Sequence, residues 1–157
     1  MATKTNAVRL VQQAKISCRE RFYEFDENDL NGNHAASAIG MPPEQVFKTL
    51  VARGEKTGIN VFCIPVCCEL DLKKAAKVAC DKNMEMVAVK DLLSLTGYIR
   101  GGCSPVGMKK KYPTFMDETC ILWEEIAVSA GARGHQMILP PEDLANLVNA
   151  KLADITL

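Results

Sequence analysis

The chain carries no surplus of charge of either sign. Lysine plus arginine and aspartate plus glutamate each number 19, for a formal net charge of zero. A protein that coats nucleic acid over a long footprint is usually basic. Any contact with RNA is therefore expected through a local basic patch and a short segment of the nucleic acid. Long hydrophobic runs are missing too. No stretch approaches the roughly 18 apolar residues of a membrane span. The opening MATKTNAVRLVQQAKIS lacks the apolar core and small-residue cleavage site of a signal peptide. These absences predict a cytoplasmic protein with no membrane partner.

Histidine is nearly absent, with only His34 and His135. Neither stands in a recognisable serine or cysteine nucleophile context, and no G-x-S-x-G occurs, so a nucleophilic triad is unsupported. Neither G-x-x-x-x-G-K-[ST] nor G-x-G-x-x-G is present, which argues against a nucleotide cofactor. Cysteine is not scarce, but its number is odd: Cys18, Cys63, Cys67, Cys68, Cys80, Cys103 and Cys120. With no secretion signal these read as reduced thiols, mostly buried as small hydrophobes. Cys63, Cys67 and Cys68 invite a metal reading, but a zinc site needs a second ligand pair downstream; only Cys80 follows nearby, no histidine does, and Cys67 and Cys68 are adjacent. No metal and no cofactor are expected.

What remains is ordinary globular material. Its 157 residues are 48% hydrophobic and 24% charged, enough for one domain, 1–157, with a core of its own. Helical spacing predicts a first helix over Asn6 to Lys15, then an extended segment to Phe25 and turns over Asp26 to Asn33. A short helix follows over Ala35 to Ile39. Val46 to Ala52 and Ile59 to Pro65 form a hairpin around a five-residue loop, Gly54 to Gly58. Asp71 caps a helix over Leu72 to Cys80. Met84 to Ala88 is a strand, and Lys90 to Leu95 is a helix closed by Gly97. Pro113 to Asp117, Ile126 to Ser129 and His135 to Leu139 are strands. A final helix runs over Glu142 to Lys151, with Pro141 at its first position. Irregular interleaving with a hairpin predicts a mixed α/β (α+β) sheet covered by helices.

Lys48 is the most unusual charged residue. It lies inside the apolar strand Val46-Phe47-Lys48-Thr49-Leu50-Val51, where alternation puts Val46, Lys48 and Leu50 on one face. Its ammonium either snorkels at a sheet edge or projects into a pocket toward a phosphate or carbonyl oxygen. Gly101-Gly102-Cys103-Ser104-Pro105-Val106-Gly107 is either a connecting loop or a cradle of amides for an anion. Lys109-Lys110-Lys111 beside Tyr112, and Lys73, Lys74 and Lys77 on one helix, are solvated faces or contacts for RNA phosphates.

Taken together, these segments resemble the YbaK/EbsC family of aminoacyl-tRNA deacylases, relatives of the editing domain of bacterial prolyl-tRNA synthetases. The matching pieces run in order. They are Ala7-Val8-Arg9-Leu10, Lys15-Ile16-Ser17, Tyr23-Glu24, Gln45 through Leu50, Leu70 through Lys77, Thr96-Gly97-Tyr98, Gly101 through Gly107, Lys109-Lys110, Val128 through Gly131, Arg133-Gly134 and Asp143-Leu144. The resemblance implies a mixed, partly closed β-barrel-like sheet surrounded by helices. It implies removal of cysteine from mischarged Cys-tRNA(Pro), with Ala-tRNA(Pro) deacylation or non-catalytic binding of the acceptor end or a synthetase as alternatives. It implies Lys48 as the catalytic residue, with Tyr23, Thr49, Gly101, Gly102, Ser104, Pro105 and Gln136 around the substrate. Lys73, Lys109, Lys110 and Lys111 are expected to touch tRNA phosphates. The partners implied are the 3′ end of a mischarged tRNA and, transiently, prolyl-tRNA synthetase, but not DNA. Gln136 stands where such proteins tend to carry an aspartate, keeping the hydrogen bonding and losing the charge.

Overall fold

The computed structural model describes residues 4–157; Met1 to Thr3, part of the segment judged unlike a signal peptide, lie outside the described residues. Helix α1 (Asn6–Gln13) starts where the Thr5 hydroxyl accepts from the Val8 N–H, and it buries Ala7, Val8 and Val11. Strand β1 (Arg19–Phe22) and helix α2 (Gly32–Ile39) follow, and Gly40 ends α2 in the left-handed region. A short 3-10 turn, Pro43–Gln45, leads into the hairpin of β2 (Phe47–Gly54) and β3 (Gly58–Pro65). Gly54 pairs with Gly58, so the loop is Glu55-Lys56-Thr57, shorter than the sequence suggested. Asp81 holds that loop, its carboxylate accepting from the backbone N–H groups of Lys56 and Thr57 and from the Thr57 hydroxyl.

Helix α3 (Leu72–Val78) opens on Asp71, whose carboxylate accepts from the N–H groups of Lys73 and Lys74 at 2.9 and 3.1 Å, the predicted cap. Strand β4 (Met84–Met86) and helix α4 (Val89–Thr96) come next, and Gly97 closes α4 at φ 87°. After the irregular segment through Tyr112 come β5 (Thr114–Asp117), a 3-10 turn over Glu118–Leu122, β6 (Ile126–Ala132) and β7 (His135–Leu139). Helix α5 (Pro141–Val148) begins on Pro141 as expected but ends early. Asn149 adopts φ 54°, and Lys151–Ala153 becomes β8, because that segment pairs parallel with β5. The expected helix through Lys151 is therefore corrected to a helix, a left-handed residue and a strand.

The strands fall into two sheets. One is antiparallel, in the order β1-β7-β6. The other is mixed, in the order β4-β2-β3-β5-β8. Among the described residues a single parallel bridge, Val46 with Ala127, links them. The mixed α/β character agrees with expectation, but the sheet does not close. Beyond that bridge the edge of β2 has no strand partner among the described residues until Ala52 meets Met86 of β4. The largest core cluster fills the space under α1 and α5, with Phe47, Met116, Ile126, Met137 and Leu139 buried. A second cluster lies beneath α3 around Phe62, Ile64 and Phe115. No described helix is long and apolar enough to cross a membrane.

Candidate functional site

Where the two sheets part, a cleft of about 770 Å³ opens. One wall is Val46 and β2 from Phe47 to Val51, and the other carries Ser129, Arg133, Gly134 and Gln136. Further lining comes from Tyr23, Phe25 and the segment Asn28 to Ala35, and from Met86, Val87, Leu92, Arg100, Gly101 and Cys103. The alternation expected for β2 holds. Phe47 packs into the main core, while Leu50 joins the cluster under α3. Lys48, on the Leu50 face, is half-buried, lines the cleft and has no carboxylate partner among the described residues. A cation left unpaired in a partly desolvated wall is available to an incoming anion or developing oxyanion.

The backbone beside it faces the same opening. Val66 N–H donates to the Val46 carbonyl on the β3 side, and Val87 N–H donates to the Val51 carbonyl on the opposite edge. Peptide orientation alternates along a strand. The N–H and C=O of Thr49 therefore point to the open edge. Its hydroxyl turns instead toward the Cys63 sulfur, at 3.8 Å.

The glycine loop meets the cleft at one point. Gly101 lines it, at φ 86°, a conformation that favours glycine. Gly102 does not. Its N–H is spent on the Ile99 carbonyl at 3.0 Å, and a Cβ there would stand 3.1 Å from the backbone of Ala132 and Arg133. The role the structure gives Gly102 is close packing of the loop against the β6–β7 turn. Ser104 is buried, and its hydroxyl accepts from the Val106 N–H. Pro105 lines a second cavity of about 540 Å³, together with Lys110, Lys111 and Tyr112. Lys109 lies against Gly97, and Lys73 is exposed on α3; neither lines the cleft. The structure thus gathers Tyr23, Lys48, Thr49, Gly101 and Gln136 and leaves Gly102, Ser104, Pro105 and the four lysines outside the cleft wall.

Gln136 sits on the floor, 6% exposed, and its Oε1 has no hydrogen-bond partner among the described residues. Across the β6–β7 pair from it stands Ser129, whose hydroxyl oxygen accepts from the Gly131 N–H. A buried acceptor without a partner costs about 1–3 kcal/mol.

Thiols near the site differ in character. Burial pushes Cys63 and Cys103 up to about 12, so neither forms a thiolate at neutral pH. Cys67 lines the cleft and is exposed. Cys67, Ser129, Arg100 and Arg133 also line the cleft, and no local pattern in the sequence assigns them to a site. Ser129 and Arg133-Gly134 fall within segments that carry the family resemblance. The meeting of Arg133 with Gly101, however, is a tertiary contact without local periodicity.

Residues 33–147 match the family described as the aminoacyl-tRNA editing domain. EbsC of Enterococcus faecalis, provisionally named a Cys-tRNA(Pro)/Cys-tRNA(Cys) deacylase, is 47% identical over 153 residues, covering 98% of this chain and 93% of that protein. A solved structure described, again provisionally, as a trans-editing enzyme for prolyl-tRNA synthetase is 26% identical with a TM-score of 0.81, covering 99% of both chains. The structure of a hypothetical protein, 18% identical with a TM-score of 0.85 over 95% of this chain and 97% of that one, shares the fold.

Proposed function

The chain belongs to the aminoacyl-tRNA editing domain family, and from that premise we propose that it deacylates mischarged Cys-tRNA(Pro) in trans, in the cytoplasm, with Lys48 as its central catalytic residue. The observation that carries this reading is the unpaired, half-buried Lys48 on the wall of the open cleft. The 47% identity to a protein named for the same substrate supports the choice of cysteine.

The bond to be broken is an ester between an amino acid and the terminal ribose. Breaking it needs a nucleophile and a place for negative charge on the carbonyl oxygen. The ammonium of Lys48, the outward N–H of Thr49 and the amide of Gly101 supply the second. The buried Cys63 and Cys103 thiols are too weakly acidic to supply the first. In this reading the sulfur of the substrate cysteine attacks its own carbonyl carbon. A C–S bond forms and the C–O ester bond breaks. The thiol proton passes to the departing ribose oxygen, leaving a cyclic thiolactone and free tRNA. The free Oε1 of Gln136 accepts from the α-ammonium and fixes the amino acid on the floor.

A transient complex with prolyl-tRNA synthetase would supply the tRNA discrimination that a neutral domain of this size has little surface to provide. The experiment is a deacylation panel of Cys-, Ala-, Ser- and Pro-tRNA. Cysteine is expected to be removed fastest. Serine removed at the cysteine rate would exclude thiol assistance, and alanine preferred over cysteine would reassign the substrate.

A further inference from the structure

Resting on the deacylase reading, we propose that Arg133, Arg100 and Phe25 form a nucleotide subsite at the outer end of the cleft, where guanidinium groups hold a backbone phosphate and the Phe25 ring stacks a terminal base. Arg133 lies in the β6–β7 turn and is half-buried. Its side chain crosses the face of Gly101, so that a Cβ on that glycine would stand 3.5 Å from both Cγ and Nε. The Nε–H donates to the Arg100 carbonyl at 2.8 Å. One edge of the fork is thus fixed, and the two terminal nitrogens have no protein acceptor among the described residues. Arg100, exposed on the same rim, has no carboxylate partner there either.

Two neighbouring cations without a carboxylate partner, one of them oriented by a backbone carbonyl, suit a bidentate oxyanion. The aromatic component lies on the other side of the same turn. Tyr23 N–H donates to the Gly134 carbonyl at 2.9 Å, which ties the Tyr23–Phe25 segment to the turn. The Phe25 ring rests against Gly134, with Cδ1 2.9 Å from where a Cβ would be, yet it is 44% exposed. A phosphate fork beside an accessible ring is how single-stranded nucleic acid is held without reading sequence. It also suits a chain whose net charge is zero. Lys110 and Lys111 face the second cavity, away from this subsite.

The test is binding of a fluorescein-labelled single-stranded RNA tetranucleotide ending in an unmodified 3′ adenosine, measured by anisotropy across a salt series. Wild type, Arg133→Ala, Arg133→Lys and Phe25→Ala are compared, each first checked for a native circular dichroism spectrum. Arg133→Ala is expected to weaken binding about tenfold, as loss of a charged hydrogen bond does, and to lower the slope of log K against log salt by about 0.7. Arg133→Lys should keep the slope and lose part of the affinity. Phe25→Ala should lower affinity without changing the slope. A merely structural arginine would leave the salt slope unmoved. Absence of RNA binding by the wild type, or an Arg133→Ala slope equal to wild type, overturns the subsite. Turnover of mischarged tRNA tests the deacylase reading separately, so an active enzyme with an unchanged slope sinks this proposal alone.

Discussion

Val46 and Ala127 form the only bridge between the two sheets among the described residues, and β2 and β6 separate directly beyond it. The cleft exists because that pairing stops. Lys48 and Thr49 stand on the edge it leaves open, facing Ser129 and Gln136 across the gap.

Gly102 holds the loop to the opposite sheet. A Cβ at this position would meet the Ala132 carbonyl carbon and the Arg133 nitrogen at 3.1 Å, and backbone cannot swing aside as a side chain does. Gly102→Ala is therefore expected to destabilise by about 1–3 kcal/mol, the usual cost of overpacking, and to slow deacylation by displacing Gly101. Thermal unfolding and turnover check both effects.

Gln136 separates binding from stability. Its Oε1 is buried without a partner, so a Gln136→Met enzyme should unfold at the wild-type temperature or above it. Deacylation should fall through a raised KM. A lowered unfolding temperature with unaltered kinetics would make Gln136 a structural residue instead.

Cys67 tests where the nucleophile comes from. Its thiol is exposed and lines the cleft. If the substrate thiol attacks, Cys67→Ser should retain wild-type deacylation of Cys-tRNA. Loss of turnover, with an acyl group trapped on the wild-type thiol in mass spectrometry, would transfer the role to the protein.

Asp81 gives a pH signature unrelated to catalysis. Desolvation alone would raise its pKa. The N–H and hydroxyl of Thr57 and the N–H groups of Lys82 and Lys56 outweigh that, and they hold the carboxylate well below its usual range. A depressed carboxylate stabilises above its unfolded pKa of about 3.9, and that contribution fades as pH falls toward the folded value. The unfolding penalty of Asp81→Asn should be largest near neutrality and shrink in acid.

Much of the fold was legible because local chemistry marks element ends. Asp71 capping α3, Gly97 closing α4 and Pro141 opening α5 each follow from side-chain or backbone preference alone. Lys48 stood out because a cation interrupts an apolar alternation. The strand at Lys151–Ala153 was not legible, since its partner β5 is remote in sequence and only the left-handed Asn149 frees it from the helix. The split into two sheets was hidden for the same reason: it depends on how β2 and β6 diverge in space. Within the site, Gly102 read as an anion donor because sequence cannot show that its amide is already bonded to Ile99. Nothing local marks Arg133, because the Gly101 it crosses is remote in sequence.

Single-turnover deacylation of Cys-tRNA(Pro) by Lys48→Ala bears most directly on the central claim. Lys48 is half-buried and has no ion-pair partner among the described residues, so the variant should stay folded with a stability within about 0.5 kcal/mol of wild type. Its rate should drop by at least roughly 10²–10³, as when an oxyanion donor is removed. A folded Lys48→Ala enzyme that turns over at the wild-type rate contradicts the account.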